Sequence, residues 1–399
     1  MLNYDIQKRK NQTKTIWLYE QIKNDILTGV LSPGERLPSK RDLAQHLSLS
    51  IITIENALGL LEEEGFVRSV PRSGFYVNAT LMPDRAADSN FQIRLLEDEP
   101  GPNPGSGSAR DAVSIETSGT GSAHVSGSDT ASGFEAAPAA DSGAASGPVP
   151  GIGRLMRRIL SEEPDIMLRK PPHLGCAVLR NAIAQYLLRF RGMQVQPANI
   201  LIGSGAEYLY GILVQLLGRD QLYGIEDPSY TKIKRVYEAN GAFTEPLRMG
   251  EDGIDEKALK KARARVLHVS PFHSWPSGVT ASAEKRFSYL AWAYTHNAYI
   301  IEDDFDSELT FFRKPLETLY ALDNTGRVIY MNTFSKSIGP GMRIAYMVLP
   351  DPLLKLYEEK LGFYSCTVPV FDQYVLAAFI QEGGFERHLG RVRRRMNAQ

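Results

Sequence analysis

Apolar residues recur at helical spacing through Ile16, Tyr19, Ile22, Ile26 and Leu27, and Gly29 ends the pattern. A turn at Ser32-Pro33-Gly34 follows. Pro38-Ser39 opens a second helix carrying Leu43, Ala44 and Leu47, and Ser50 begins a third with Ile54, Leu58 and Leu61 that stops at Gly65. From Val67 to Val77 the pattern alternates around Pro71-Arg72-Ser73-Gly74, which predicts a short hairpin. Helix, helix-turn-helix and hairpin together predict a winged helix-turn-helix within residues 1–80.

Apolar periodicity then vanishes. Residues 81–150 are dominated by Gly, Ser, Ala, Pro and Asp, and such a segment cannot bury enough surface to offset the entropy of ordering it. We read it as a flexible linker. A linker of about 70 residues transmits little strain and calls for the winged helix to dock on a partner subunit's large domain.

From residue 151 to 399 helices and strands alternate. Helices are predicted at Val178–Phe190, Ser204–Leu217, Ile233–Asn240 and Ala283–His296. Strands are predicted at Ile200–Ile202, Leu222–Ile225, Val266–Val269, Tyr299–Glu302 and Val328–Met331. This order predicts an α/β fold with a mainly parallel sheet covered on both faces, whose ligands bind at the carboxyl ends of the strands.

With 399 residues the chain is long enough for two or more domains, and 43% hydrophobic and 23% charged residues describe a globular protein. A formal net charge of -1 gives no global argument for nucleic acid, so any DNA contact has to be local. The start lacks a signal-peptide core and no run of about 18 apolar residues suggests a membrane span, which points to the cytoplasm. Cys176 and Cys366 lack metal-ligand spacing and read as buried or free thiols.

Two stretches carry chemistry. Lys336 lies in Thr333-Phe334-Ser335-Lys336-Ser337-Ile338-Gly339-Pro340-Gly341-Met342-Arg343, after a predicted strand, and Asp303 lies in the strand-ending run Ile300-Ile301-Glu302-Asp303-Asp304. A lysine among small hydroxylated residues with an arginine nearby suits a Schiff base to an aldehyde cofactor whose phosphate is held close by. A carboxylate ending a buried strand keeps a pyridine nitrogen protonated. The pair reads as a pyridoxal 5'-phosphate site.

The segment Gly29-Val30-Leu31-Ser32-Pro33-Gly34-Glu35-Arg36-Leu37-Pro38-Ser39-Lys40-Arg41-Asp42-Leu43-Ala44 resembles the signature of GntR-type winged-helix repressors. Followed by a linker and the lysine motif, it resembles the MocR/GabR-like subfamily, in which the winged helix is fused to a fold-type-I aminotransferase-like domain. The resemblance implies Lys336 as the Schiff-base residue, Asp303 as partner of the pyridine nitrogen, and Thr333 and Arg343 as phosphate ligands. Ser204-Gly205-Ala206 matches the phosphate cup, where N–H groups at a helix N-terminus favour an anion. Tyr230 matches the aromatic that stacks on the pyridine ring, and His273-Ser274-Trp275-Pro276-Ser277-Gly278 matches a loop beside the cofactor.

Three departures from that pattern stand out. Phe305 occupies a position where the family has a tyrosine donating to the cofactor's phenolic oxygen. The chain reaches Gln399 in an Arg-rich helix where the family continues into a C-terminal small domain that grips a substrate carboxylate, so the large domain is expected to lack that grip and to retain half-transamination at most. The recognition helix begins Ser50-Ile51-Ile52-Thr53-Ile54-Glu55-Asn56 without the family's arginines. Arg41, Ser50, Thr53, Asn56 and the wing residues Arg72 and Gly74 then remain for DNA, supplemented by Lys8, Arg9, Lys10 and Lys14.

The resemblance thus implies a cytoplasmic, homodimeric transcriptional regulator that binds double-stranded operator DNA and senses a small amine or amino acid through aldimine formation at Lys336. Two other functions are kept open: an aminotransferase with an attached winged helix, and a DNA-binding or dimerisation remnant without cofactor.

Overall fold

The computed structural model describes residue 4 and residues 13–63, 65–71, 73–78, 149–309 and 316–396. Arg72, the basic residues Lys8, Arg9 and Lys10, and the expected linker between 81 and 148 lie outside the described residues.

The N-terminal part forms where the caps demand it. Helix α1 (Lys14–Leu27) starts at Thr13, whose Oγ1 accepts from the Ile16 N–H at 3.3 Å, and α2 (Lys40–Leu47) starts at Ser39, whose Oγ accepts from the Asp42 N–H at 3.2 Å. Gly29, at φ 76°, lets the chain leave α1. Helix α3 (Ile51–Glu63) follows, and strands β1 (Val67–Val70) and β2 (Gly74–Val77) pair antiparallel with Val67 opposite Val77. Leu18, Ile22, Leu43, Ile54, Leu58 and Leu61 meet in a core sealed from solvent. This is the winged helix-turn-helix that the periodicity predicts.

The large part begins with α4 (Ile152–Glu162) and α5 (Ala177–Arg191), then β3 (Ile200–Gly203), α6 (Ala206–Leu217), β4 (Leu222–Asp227) and α7 (Thr231–Ala239). It continues with β5 (Phe243–Gly250), β6 (Gly253–Ile254), α8 (Glu256–Lys261), β7 (Val266–Val269), α9 (Ala283–Thr295) and β8 (Tyr299–Asp303). The last elements are α10 (Leu319–Leu322), β9 (Val328–Thr333), β10 (Ala345–Val348), α11 (Asp351–Leu361), α12 (Val370–Gln381) and α13 (Gly384–Met396). The strands form one sheet in the order β3-β10-β9-β8-β7-β4-β5-β6. Strand β10 runs antiparallel to both β3 and β9, and β6 antiparallel to β5; the other pairs are parallel. The return from β9 to β10 contains no helix, and so short a connection permits an antiparallel neighbour.

The winged helix packs on the large part of its own chain, where the linker argument expects a partner subunit. Ala283 and Phe287 of α9 join its buried core, and Lys23 of α1 pairs with Glu317 at 2.7 Å. A methyl group on Gly65 would stand 3.2 Å from the Ala283 nitrogen, so the two parts are in close contact there.

Candidate cofactor site and nucleic-acid interface

Strand direction gathers the predicted residues. Because β10 is antiparallel to both neighbours, β3 runs with β9, β8, β7 and β4, and their carboxyl ends share one edge of the sheet. On that edge lie Ser204-Gly205-Ala206 after β3, Tyr230 after β4, Asp303 ending β8 and Thr333 ending β9. The segment carrying Lys336 and Arg343 joins β9 to β10 there.

The turn into α6 is built on Gly205, whose φ of 100° and ψ of 164° belong to a region open essentially to glycine alone. A Cβ at this position would come within 2.7 Å of Arg343 Nη2. The backbone and the guanidinium therefore enclose a small cradle at the N-terminus of α6. Arg343 also donates to Glu207 in the first turn of α6 at 2.8 Å, and Lys232 reaches the same carboxylate at 3.2 Å. Partial burial works against the Glu207 charge, but these two cations hold it below its ordinary value. Tyr230 is half-buried, with Lys232 Nζ 5.7 Å from its ring centre.

Asp303 is 4% exposed. Tyr210 of α6 donates its hydroxyl to Asp303 Oδ2, and His268 Nε2 of β7 stands 3.3 Å from the same oxygen without an aligned hydrogen bond. Tyr237 OH and His268 Nδ1 lie 2.6 Å apart and steady the ring. Pattern reading missed Tyr210 and His268, which lie in elements that are almost wholly buried and so give no local sign of a polar role.

Lys336 is partly buried, and its charge acts on both His273 and Asp306. His273 Nδ1 is 2.7 Å from Asp306 Oδ2, and this hydrogen bond raises the imidazole above its usual value. Burial raises Asp306 despite that partner. Phe305 offers no hydroxyl and stacks on His273 with ring centres 6.5 Å apart. The neighbouring loop is anchored by buried Glu226, which accepts from Ser274 Oγ at 2.6 Å and the Ser270 N–H at 3.2 Å. Thr333 Oγ1 accepts from the Ser335 N–H at 3.3 Å and so shapes the turn into the lysine segment.

Behind the site Asp304 points inward, paired with Arg191 and accepting from Tyr330 at 2.7 Å. Arg393 of α13 donates to the Glu308 carbonyl at 2.7 Å and lies over Phe190, so this member of the Arg-rich helix is part of the packing and not of a solvated face. Cys176 and Cys366 are both buried, with Gln373 bonded to the Cys176 N–H and to Val368 O between them. A cavity of about 450 Å³ lies at the opposite sheet edge, lined by Asn199, Glu317, Tyr320, Asp323 and Asp351, and none of the predicted cofactor residues borders it.

In the winged helix, Arg41 and Asn56 are exposed. Ser50 and Thr53 are engaged with each other, Oγ to Oγ1 at 2.8 Å, and Ser50 Oγ also accepts from the Thr53 N–H. Gly74, at φ 119°, opens β2 beside Arg36, an exposed cation that pattern reading did not single out although it lies in the signature segment. Lys40 of the same segment is partly buried and pairs with Glu55 at 3.2 Å.

A family model described as bacterial regulatory proteins, gntR family, matches residues 17–77, and one described as aminotransferase class I and II matches residues 155–399. The uncharacterized HTH-type transcriptional regulator YdeL of Bacillus subtilis is 33% identical over 394 residues, covering 98% of this chain and 79% of YdeL. The probable rhizopine catabolism regulatory protein MocR of Rhizobium meliloti is 30% identical, covering 94% of this chain and 73% of MocR. Among solved structures, the α-aminoadipate aminotransferase LysN of Thermus thermophilus, complexed with N-(5'-phosphopyridoxyl)-L-leucine, is 29% identical with a TM-score of 0.54. That match covers 61% of this chain and 63% of LysN, less than two thirds of it.

Pyridoxal 5'-phosphate is the cofactor of this fold, and the residues present fit it. The glycine cradle beside Arg343 suits a phosphate, and a buried carboxylate supported by Tyr210 suits a protonated ring nitrogen. A GntR helix-turn-helix that binds DNA and an aminotransferase-like domain thus occur in one polypeptide, and the chain belongs to the MocR-like HTH-type transcriptional regulators.

Proposed function

We propose that this regulator senses a small amine or amino acid at the Lys336 edge of the sheet and converts its presence into altered operator binding by a homodimer in the cytoplasm. When bound, pyridoxal phosphate supplies an electrophilic aldehyde that takes up primary amines. Gly205, Thr333 and Arg343 would hold its phosphate, Asp303 would hold a proton on its ring nitrogen, Tyr230 would cover the ring, and Lys336 is the chain's own amine beside it. His273 and Asp306 set the charge around that lysine. The absence of a hydroxyl at Phe305 removes one neutral hydrogen bond, worth about 0.5–1.5 kcal/mol, which lowers affinity without abolishing it. Among the described residues no helix is long and apolar enough to cross a membrane.

The observation that carries the reading is a continuous route from the cofactor edge to the winged helix. Glu302, adjacent to Asp303, is fully buried and accepts from the Leu319 N–H at 2.7 Å and the Tyr320 N–H at 2.9 Å. These amides begin α10, and two residues before it Glu317 pairs with Lys23 of α1. A ligand shifts operator binding only by its differential affinity for two arrangements of this contact, so a coupling of about 1–3 kcal/mol, roughly 5–150-fold, is expected.

The test titrates amines and amino acids against the pyridoxal-phosphate-loaded protein, following absorbance and operator affinity together, in the wild type and Lys336→Ala. Spectral change with altered operator affinity in the wild type supports sensing. Spectral change with unchanged operator affinity refutes it, and sustained keto-acid production would assign an aminotransferase instead. That second reading is favoured by the 2-aminoadipate transaminase of Thermus thermophilus, 30% identical over 246 residues.

A further inference from the structure

We propose that Ile51 and Ile52 read thymine C5-methyl groups in the major groove, so that this regulator's half-site is specified at those steps by apolar contact with A·T pairs. The inference rests on the DNA-binding role of the helix-turn-helix.

Helix α3 fills the winged-helix core with Ile54, Ala57, Leu58 and Leu61, each 0% exposed. The core face of the helix is therefore complete without Ile51 and Ile52, which are 47% and 69% exposed in its first turn. Single exposed apolar residues are ordinary, but two adjacent ones at the leading end of the second helix of a helix-turn-helix lie where base edges are contacted. The winged helix also carries cations on neighbouring elements: Arg41 is exposed on α2, Arg36 stands beside the wing, and Lys40 of α2 pairs with Glu55 of α3. This matches an approaching phosphate backbone.

The polar groups of the same turn are occupied. Ser50 and Thr53 hydroxyls bond each other, and Glu55 is held by Lys40. Isoleucine has neither donor nor acceptor, and the thymine methyl is the apolar group that the major groove displays. Its β-branch also leaves one strongly preferred rotamer in a helix, so little side-chain freedom is lost on contact. Asn56, exposed one turn further along, carries the amide that suits adenine. Both signals select A·T pairs.

The experiment enriches duplexes from a random-sequence library with the full-length wild type, then replaces each thymine of the enriched site in turn by deoxyuridine, which removes the methyl and keeps the pairing. Affinities are compared at one salt concentration for the wild type, Ile51→Ala and Ile52→Ala. One or two thymines per half-site are expected to lose roughly fourfold in wild-type affinity on replacement, the equivalent of about 0.8 kcal/mol for one buried methyl. At those thymines Ile51→Ala or Ile52→Ala should bind both duplexes equally. Wild-type indifference to every replacement, or an undiminished uracil penalty in both variants, overturns the proposal. If the wild type enriches no duplex, the DNA-binding role itself falls and this inference with it.

Discussion

Replacing Gly205 by alanine separates the phosphate cradle from ordinary backbone stability. At φ 100° and ψ 164° a non-glycine residue costs about 1–3 kcal/mol. The new Cβ would also stand 2.7 Å from Nη2 and 3.0 Å from Cζ of Arg343. That side chain is 52% exposed and can swing aside, at the loss of its 2.8 Å pair with Glu207, which is worth about 0–1 kcal/mol at such exposure. Backbone strain therefore outweighs the clash. Its relief rotates the peptide units at the N-terminus of α6, and the displaced guanidinium leaves the cradle beside Gly205. Gly218 provides the control: at the other end of α6 it has φ 114° and ψ 140°, and its Cβ would meet Asp220 Oδ1 at 2.6 Å. Gly205→Ala and Gly218→Ala should both lose about 1–3 kcal/mol in denaturant unfolding without cofactor. Only Gly205→Ala should weaken pyridoxal phosphate binding, by about 10-fold or more in an absorbance titration, corresponding to about 1.4 kcal/mol. Equal cofactor affinity in Gly205→Ala and the wild type, or equal losses in the two variants, would refute the cradle.

Glu317→Gln leaves the 93%-buried Lys23 without its carboxylate partner at 2.7 Å. With Glu317 partly exposed, a cost of about 1–3 kcal/mol is expected, seen as faster hydrogen exchange in α1 and α9 with an unchanged cofactor spectrum; unchanged exchange would show that the ion pair does not hold the two parts together. Burial pushes Glu302 up to about 8 from 4.5, so the fold retains a proton that the unfolded chain releases. Its contribution is complete below about pH 4.5 and is withdrawn as pH rises to about 8, and Glu302→Gln should flatten that decline in stability-versus-pH measurements. An identical slope in the variant would assign the proton elsewhere. Gly59 sits inside α3 with nothing within 4 Å of an added Cβ, so Gly59→Ala should raise stability by about 0.5–1 kcal/mol in thermal unfolding, and a loss would reveal a contact absent from the structure.

The features that could be read from the chain alone are local ones. Ser39 accepting from an N–H three residues on, Gly29 in the left-handed region, and apolar spacing along α1, α2 and α3 depend on neighbours in the chain, so periodicity and caps were enough to recover the winged helix. The mainly parallel sheet was legible for the same reason: β7, β8 and β9 are continuous buried runs between amphipathic helices. Strand β5 was not, because Pro246 and largely unburied positions leave no clean alternation.

Which side chains meet depends on how the elements pack. Tyr210 and His268 converge on Asp303 from α6 and β7, a pairing that follows from strand order and has no trace in local spacing. Lys23 and Glu317 are equally uninformative in sequence, yet their contact joins the winged helix to the segment beside the cofactor strand. Such contacts arise when distant segments are brought together at a loop-closure cost that local preference does not register. The residue types that do the chemistry could thus be named from the chain, while their orientation and their link to the DNA-reading part came from packing.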